Sequence, residues 1–500
     1  MAFSLALTAC DQGAAALPAR TLTVALDSNP TTLDPRRATD AVSVRLIQLI
    51  YASLIQGDPR GDFVADLAER WEFLDDRTVV FHLRRGVRFH HGPEVTSADV
   101  KYTLESIRDP ELRSPLAGTL EPITRIETPD PRRVIIHLEA PYAPLLGALT
   151  VGIVPRDLAG GPHDLQRHPV GAGPFRFVRW IPHERIELAA NPAYPASPPG
   201  VGRAVFRVIP DTTTRLLELQ RGGVDLLVGS IPPETLPRLA ALPDVVVVEA
   251  EGNAVSYVGF NLEDPALRDI RVRRAVAHAI DRQAILEGLL AGRGVLATGL
   301  LPPGHWAYAE DVPRYPYAPD VARRLLDEWR EGRPPATPLR LIYKTGTSDL
   351  SKAIGEALQE QLGRVGIKLM IQSYEWGTFY ADIKNQNFQM YALGWIGVTD
   401  PDIYYHAFHS TSVPPKGANR NRYRNAELDH LVELGRTTLD RTRRRAIYRQ
   451  VQQIVARDLP YITLWHGRMV AAHRAHVRGF TLYPGGDFLP LKQVGLGPPQ

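Results

Sequence analysis

The run Leu393-Gly394-Trp395-Ile396-Gly397-Val398-Thr399-Asp400-Pro401-Asp402 continues into Ile403-Tyr404-Tyr405. An apolar segment (Met390, Tyr391, Leu393) ends in Gly-Trp-x-Gly, and Asp-Pro-Asp then opens an aromatic helix. A buried strand of this kind would deliver a large indole, Trp395, and a carboxylate, Asp400, to the mouth of a cleft. Gly394 and Gly397 carry no side chain, so other backbone or a ligand can approach closely. Two residues have a second reading. Asp-Pro at a helix start is also an N-cap followed by proline at the first helical position. Trp395 either packs in a core or lines a cavity wall, where indole offers rigid apolar contact.

Outward from that stretch, 500 residues can bury a large core and suggest two or three lobes. A hydrophobic share of 44% and a charged share of 23% suit a folded soluble protein. The formal net charge of +3 gives no strong field to recruit nucleic acid, so no such partner is expected. The densest basic cluster, Arg441 to Arg445, reads as a solvated helix face paired with carboxylates such as Asp440. The single cysteine, Cys10, excludes an intrachain disulfide. It follows Leu7-Thr8-Ala9, which looks like a bacterial lipobox, and Asp11 to Arg20 then reads as a small-residue tether. The alternative is an ordinary thiol in an unstructured N-terminus. Met1 to Ala9 lacks a basic n-region and is short for a signal peptide, which leaves the true start open. No other stretch approaches the ~20 apolar residues of a membrane-spanning helix.

Strand and helix signals mix throughout, punctuated by 43 prolines and 40 glycines. Thr21 to Asp27 alternates as a half-buried strand, and Val42 to Leu54 is apolar at helical spacing. Val79 to Leu83 and Val87 to Phe89 read as a hairpin around Arg84-Arg85-Gly86, as do Phe175 to Ile181 and Arg185 to Ala189. Thr96 and Asp99 form a capping box. Further helices are predicted over Thr212 to Gln220, Ile270 to Ile280 (capped by Asp269), Ser351 to Val365 and Leu439 to Arg457. Strands are predicted over Val224 to Val228, Leu339 to Tyr343, Ile367 to Ser373 and Tyr461 to Trp465.

Catalytic signatures are missing: there is no G-x-S-x-G elbow, no phosphate-cradling G-x-x-x-x-G-K-[ST] and no second cysteine. His183-Glu184-Arg185-Ile186-Glu187 starts like a zinc-protease motif but lacks the second histidine and falls in a hairpin. The chain is therefore read as no enzyme, and no cofactor is expected.

Several motifs, in order, carry a family resemblance. They are Leu22-Thr23-Val24-Ala25-Leu26 with Leu33-Asp34-Pro35, then Asp66-Leu67-Ala68-Glu69-Arg70-Trp71, then Phe81-His82-Leu83-Arg84-Arg85-Gly86-Val87-Arg88-Phe89-His90-His91-Gly92 with Thr96-Ser97-Ala98-Asp99-Val100. Gly171-Ala172-Gly173-Pro174-Phe175, Phe260-Asn261, Asp269-Ile270-Arg271-Val272-Arg273-Arg274-Ala275 and the Gly-Trp-x-Gly stretch complete them. Over nearly its whole length the chain resembles the extracytoplasmic solute-binding proteins of peptide-type ABC importers, the dipeptide- and oligopeptide-binding proteins of solute-binding protein family 5.

The resemblance implies an α/β fold, two-lobed like periplasmic binding proteins (type II, cluster C), with an extra small α+β domain inserted in the first lobe. On that pattern residues 1–19 are signal remnant, lipobox and tether. Lobe I takes 20–57, 170–259 and 472–500, the insert takes 58–169, and lobe II takes 260–471. Hinge crossings are expected near Gly259-Phe260-Asn261 and His466 to Ala472. The implied partners are a peptide or peptide-like ligand and a membrane ABC permease, with the chain a monomer, extracytoplasmic and lipid-anchored through Cys10. The same fold also serves receptors for oligosaccharides, opines or metal chelates, and an enzyme or signalling receptor using the same cleft is a further alternative.

In the family the Gly394–Trp395 segment lines the cavity, and Trp376 and Tyr343 have related claims. Peptide-binding relatives place a carboxylate just after Gly-Trp-x-Gly to pair with a peptide's α-ammonium. Here Val398 and Thr399 stand there, so Asp400 or Asp402 takes the role or the anchor is absent. Asn419-Arg420-Asn421-Arg422-Tyr423 is a polar loop whose Arg420 either neutralises a substrate carboxylate or meets only water. Asn419 and Tyr423 share that loop. Ser28 and Asn29, at the end of the first strand, are expected to meet ligand mainly through backbone. His82, His90 and His91, and His406 with His409, raise a metal reading because some relatives carry nickel chelates. His90-His91 sits in a motif that points to turn structure, so no metal is expected.

Overall fold

In a computed structural model of the protein, residues 20–58, 62–159, 163–195, 198–331, 339–415 and 417–498 are described. Cys10 and the tether expected over 1–19 lie outside them. Among the described residues one 11-stranded sheet runs through the molecule. At its middle lie two long antiparallel strands, Val245–Phe260 and Tyr461–Arg474. Their pairing has two halves: Val245 to Glu251 runs beside Arg468 to Arg474, and Val255 to Gly259 runs beside Tyr461 to His466. The register shifts between Glu251 and Val255. In that shift Gly252 presses on the partner strand, where a Cβ would come within 2.4 Å of the Gly467 carbonyl oxygen.

Beyond these strands the sheet extends on one side through Leu226–Val228, Thr21–Leu26, Arg203–Val208, Arg185–Ala190 and Phe175–Ile181. On the other side come Met390–Trp395, Leu339–Thr345 and Ile367–Ser373. The first half packs a core around Leu22, Phe206, Leu226 and Ala471. The second packs another around Val258, Phe260, Leu341 and Ile462. The mixed α/β, two-lobe arrangement follows from one sheet shared by two cores. Val255 to Gly259, expected in the first lobe, runs with the second, so the two strands pass between cores near Gly252 and Gly467. A third core (Phe81, Leu104, Val134) lies under a separate antiparallel sheet, in the order Ala68–Asp75, Thr78–Leu83, Arg133–Leu138, Ile123–Asp130.

Local signals set most element ends. The Thr96 amide donates to Asp99 Oδ2 at 2.9 Å and completes the capping box of helix Ser97–Arg108. Asp269 caps Ile270–Ala279, and Gly222, at φ +77, ends Thr212–Arg221. Two expectations fail for non-local reasons. The hairpin through Phe89 does not form, because Thr78–Leu83 spends both edges on Ala68–Asp75 and Arg133–Leu138. The helix from Ala41 stops at Ile50 instead of Leu54, where Gly171 and Gly173 press on the Ile50 backbone.

His90 fastens that junction. Its Nε2–H donates to Gly173 O at 3.1 Å and its Nδ1 accepts the Gly171 amide at 3.4 Å. Burial lowers its pKa from 6.5 to about 4. The unfolded chain therefore binds this proton at higher pH than the folded one. Stability is complete above pH ~6.5 and falls as pH drops toward 4, by about 3 kcal/mol from this group. Urea melts at several pH values in that window should show a shallower acid loss for His90→Gln than for wild type.

Candidate functional site

Met390–Trp395 pairs along Val255 to Phe260, with Trp395 opposite Val255. Met390 and Tyr391 are fully buried and fix the strand in the second core. Trp395, its last residue, therefore reaches the crossing point between the two cores. The following turn is tied there by the Val398 amide, which donates to Asn253 O at 3.1 Å. Gly397 has φ +72, a backbone state that suits glycine. Ile396, between them, is 70% exposed.

Around Trp395 the side chains form a layered row. Tyr257 stacks on it at 6.4 Å between centroids, and His406 meets it edge-on at 6.0 Å. The Arg420 guanidinium lies over its ring at 5.1 Å and over Tyr380 at 5.6 Å. Tyr380 stacks in turn on Trp376, at 5.2 Å and 10°. Trp376 begins the helix Trp376–Lys384, is 58% exposed, and is preceded by the cap Glu375, which accepts the Gly377 amide at 2.8 Å. The row thus runs from open surface at Trp376 inward to Arg420. The indole N–H of Trp395 has no acceptor.

The loop carrying Arg420 is a knot rather than a solvated turn. Asn419 Nδ2 donates to Tyr423 O at 2.8 Å while its Oδ1 accepts the Tyr423 amide at 3.0 Å. Asn421 accepts from the Tyr391 hydroxyl at 2.9 Å and donates to Pro460 O at 2.7 Å. The Tyr423 hydroxyl donates to Asp458 at 2.6 Å. Asn419 and Tyr423 therefore hold the loop, and Arg420 is its presented group. Its guanidinium donates to the Tyr257 and Tyr380 hydroxyls, each at 3.3 Å. Burial raises the Tyr257 pKa well above 10, so that oxygen is a neutral acceptor.

Asp400 is engaged by the protein itself. Arg444 grips it with two hydrogen bonds, 2.9 Å to Oδ2 and 2.7 Å to Oδ1, and Oδ1 also accepts the Asp402 amide at 2.8 Å. The solvated face expected over Arg441 to Arg445 holds a buried member in Arg444, because the Asp400 turn packs against that helix. Asp402 lies 3.1 Å from Arg436, and burial pushes its pKa up to about 6. Arg436 stacks on Tyr405 at 3.9 Å and donates to the Tyr142 hydroxyl at 3.2 Å, so the third core meets the second here.

The remaining expected residues lie apart. Tyr343 is fully buried, with its hydroxyl lacking a partner, and so faces no opening; the strand continues past it and turns the ring into the core. Ser28, exposed, donates to Asp27 at 3.2 Å on the first core's side. Asn29 accepts the His183 amide at 3.1 Å. His409 is buried against Thr411 and Glu433. Among the described residues no group of three or more His, Cys, Asp or Glu could hold a metal ion, and no helix is long and apolar enough to cross a membrane. Tyr257 and Tyr380 were not legible as site residues, and His406 was read only with His409 as a possible metal pair. Tyr380 had a signal, since it stands four after Trp376 on one helix face.

A fold of two cores joined by a pair of through-running strands is that of the solute-binding proteins. The chain belongs to the bacterial extracellular solute-binding proteins, family 5, whose middle region matches residues 62–414. It is 27% identical to the dipeptide-binding protein of Escherichia coli, over 95% of this chain and 94% of that protein. It is 28% identical to heme-binding protein A of Haemophilus influenzae, over 97% and 96%. The oligopeptide-binding protein of Bacillus subtilis, solved with a nonapeptide, superposes with a TM-score of 0.84 at 25% identity, covering 96% of this chain and all of that one. These relatives are binding proteins rather than enzymes.

Proposed function

We propose that the protein is the receptor of an ABC importer, capturing a peptide or peptide-like solute between its lobes and handing it to a membrane permease. It works outside the cytoplasm as a monomer tethered through Cys10, and it catalyses nothing. The observation that carries this reading is the row Trp376, Tyr380, Arg420, Trp395 at the strand crossing. Flat aromatic faces tolerate varied side chains, and a buried cation fixes one end of a ligand. The crossing near Gly252 and Gly467 is a natural hinge, since among the described residues the chain passes between the two lobes along these two strands. A solute touching both lobes shifts the population toward the closed form.

A second reading, a receptor for a non-peptide solute, draws support from Asp400. Its engagement by Arg444, with Val398 buried beside it, leaves no free carboxylate at the position where peptide-binding relatives keep one. Thermal melts of refolded, ligand-free protein with an equimolar dipeptide and tripeptide pool separate the two. The peptide reading expects a Tm increase, corresponding to about 2.7 kcal/mol at a hundredfold excess over Kd. A flat Tm with peptides, beside a rise with opine or oligosaccharide pools, would favour the second.

A further inference from the structure

Five arginines are buried among the described residues: Arg36, Arg215, Arg273, Arg420 and Arg444. Four are answered by strong acceptors. Arg36 pairs with Asp34 and Arg444 with Asp400. Arg215 donates to Ile209 and Pro210 carbonyls, and Arg273 to Leu267, Arg268 and Asp458 carbonyls. Arg420 differs. It is 9% exposed, and among the described residues its side chain hydrogen-bonds only to two phenolic hydroxyls, both at a long 3.3 Å. Among the described residues no carboxylate lies within ion-pairing reach of it. A guanidinium carries five N–H donors, and burying it without a counter-charge is costly.

The carboxylates on the elements that carry this wall face other partners. Asp400 is held by Arg444, Asp402 by Arg436, and Asp382 by Lys344 at 2.7 Å, while Glu375 caps its helix. His406, edge-on to Trp395, is pushed toward its neutral form by desolvation and by the nearby cations Arg420 and Arg436. The wall is therefore cationic without an acidic answer, and it sits at the strand crossing between Trp395 and Tyr380.

Resting on the receptor reading above, we propose that Arg420 is the specificity residue of the cleft and seats a carboxylate of the solute, with Trp395 and Tyr380 flanking it. Planar carboxylate matches the guanidinium fork, and the aromatic faces exclude the water that would weaken the pair. The charged anchor on this lobe is thus for the acidic end of a ligand. The solute class is a small molecule with a free carboxylate, such as the C-terminus of a short peptide.

The test compares an equimolar dipeptide pool with the same pool converted to methyl esters, using thermal melts and calorimetric titration of refolded wild type and Arg420→Gln. The free-acid pool should stabilise wild type. The ester pool should bind at least about tenfold more weakly, and the variant should bind both pools equally poorly. Esterification removes the carboxylate from the ligand, so this arm does not depend on the variant folding. If the esters bind wild type as well as the acids do, the Arg420 proposal is overturned while the receptor reading stands. If neither pool binds wild type, the peptide receptor reading fails and takes the proposal with it.

Discussion

Asp400→Ala is expected to lower the stability of the protein by about 3–5 kcal/mol, the cost of leaving a buried arginine without its partner. Arg444 is 5% exposed, and both of its terminal nitrogens donate to Asp400. Removing the carboxylate leaves the buried charge with the rings of Tyr448 and Trp306 and the Gly435 carbonyl. The turn also loses a tie, since Asp400 accepts the Asp402 amide. Replacing both partners together, as Asp400→Leu with Arg444→Met, should recover most of the loss because no lone charge remains. Urea unfolding of the three variants measures this directly. A ligand-binding role for Asp400 would instead lower affinity while leaving the unfolding midpoint near wild type.

Trp395→Ala is expected to weaken solute binding by about 2 kcal/mol or more, roughly thirtyfold, as truncation of a central aromatic anchor does. The indole touches Tyr257, His406 and Arg420 at once. Without it the guanidinium loses one aromatic wall and gains access to water, which weakens any ion pair it makes. Stability should fall less than for a fully enclosed tryptophan, because the residue is only half-buried. Titrating a free-acid dipeptide pool into refolded wild type and variant, at temperatures where both are folded, checks the expectation. Equal affinities would remove Trp395 from the cavity wall.

Much of the fold was legible because it rests on local chemistry. Asp269, Thr96 with Asp99, and Gly222 each set a helix end from within a few residues. Trp395 was legible because glycines flank it and an apolar strand precedes it. What escaped was decided by distant partners. The edges of Thr78–Leu83 were claimed by strands on both sides. Tyr461–Arg474 outran its expected end at Trp465, because its second half pairs with Val245 to Glu251 in the other lobe. Arg444 and Arg420 lie in runs rich in arginine and look alike in sequence. Only the fold shows that one meets Asp400 and the other two tyrosines.

The central claim is that the cleft beside Trp395 captures a solute. Mass spectrometry of the small molecules released on denaturing the purified protein, beside those released from Trp395→Ala, tests it most directly. The account predicts near-stoichiometric release of carboxylate-bearing solutes of peptide size from wild type and a strong depletion in the variant. An abundant solute retained equally by both proteins would contradict it.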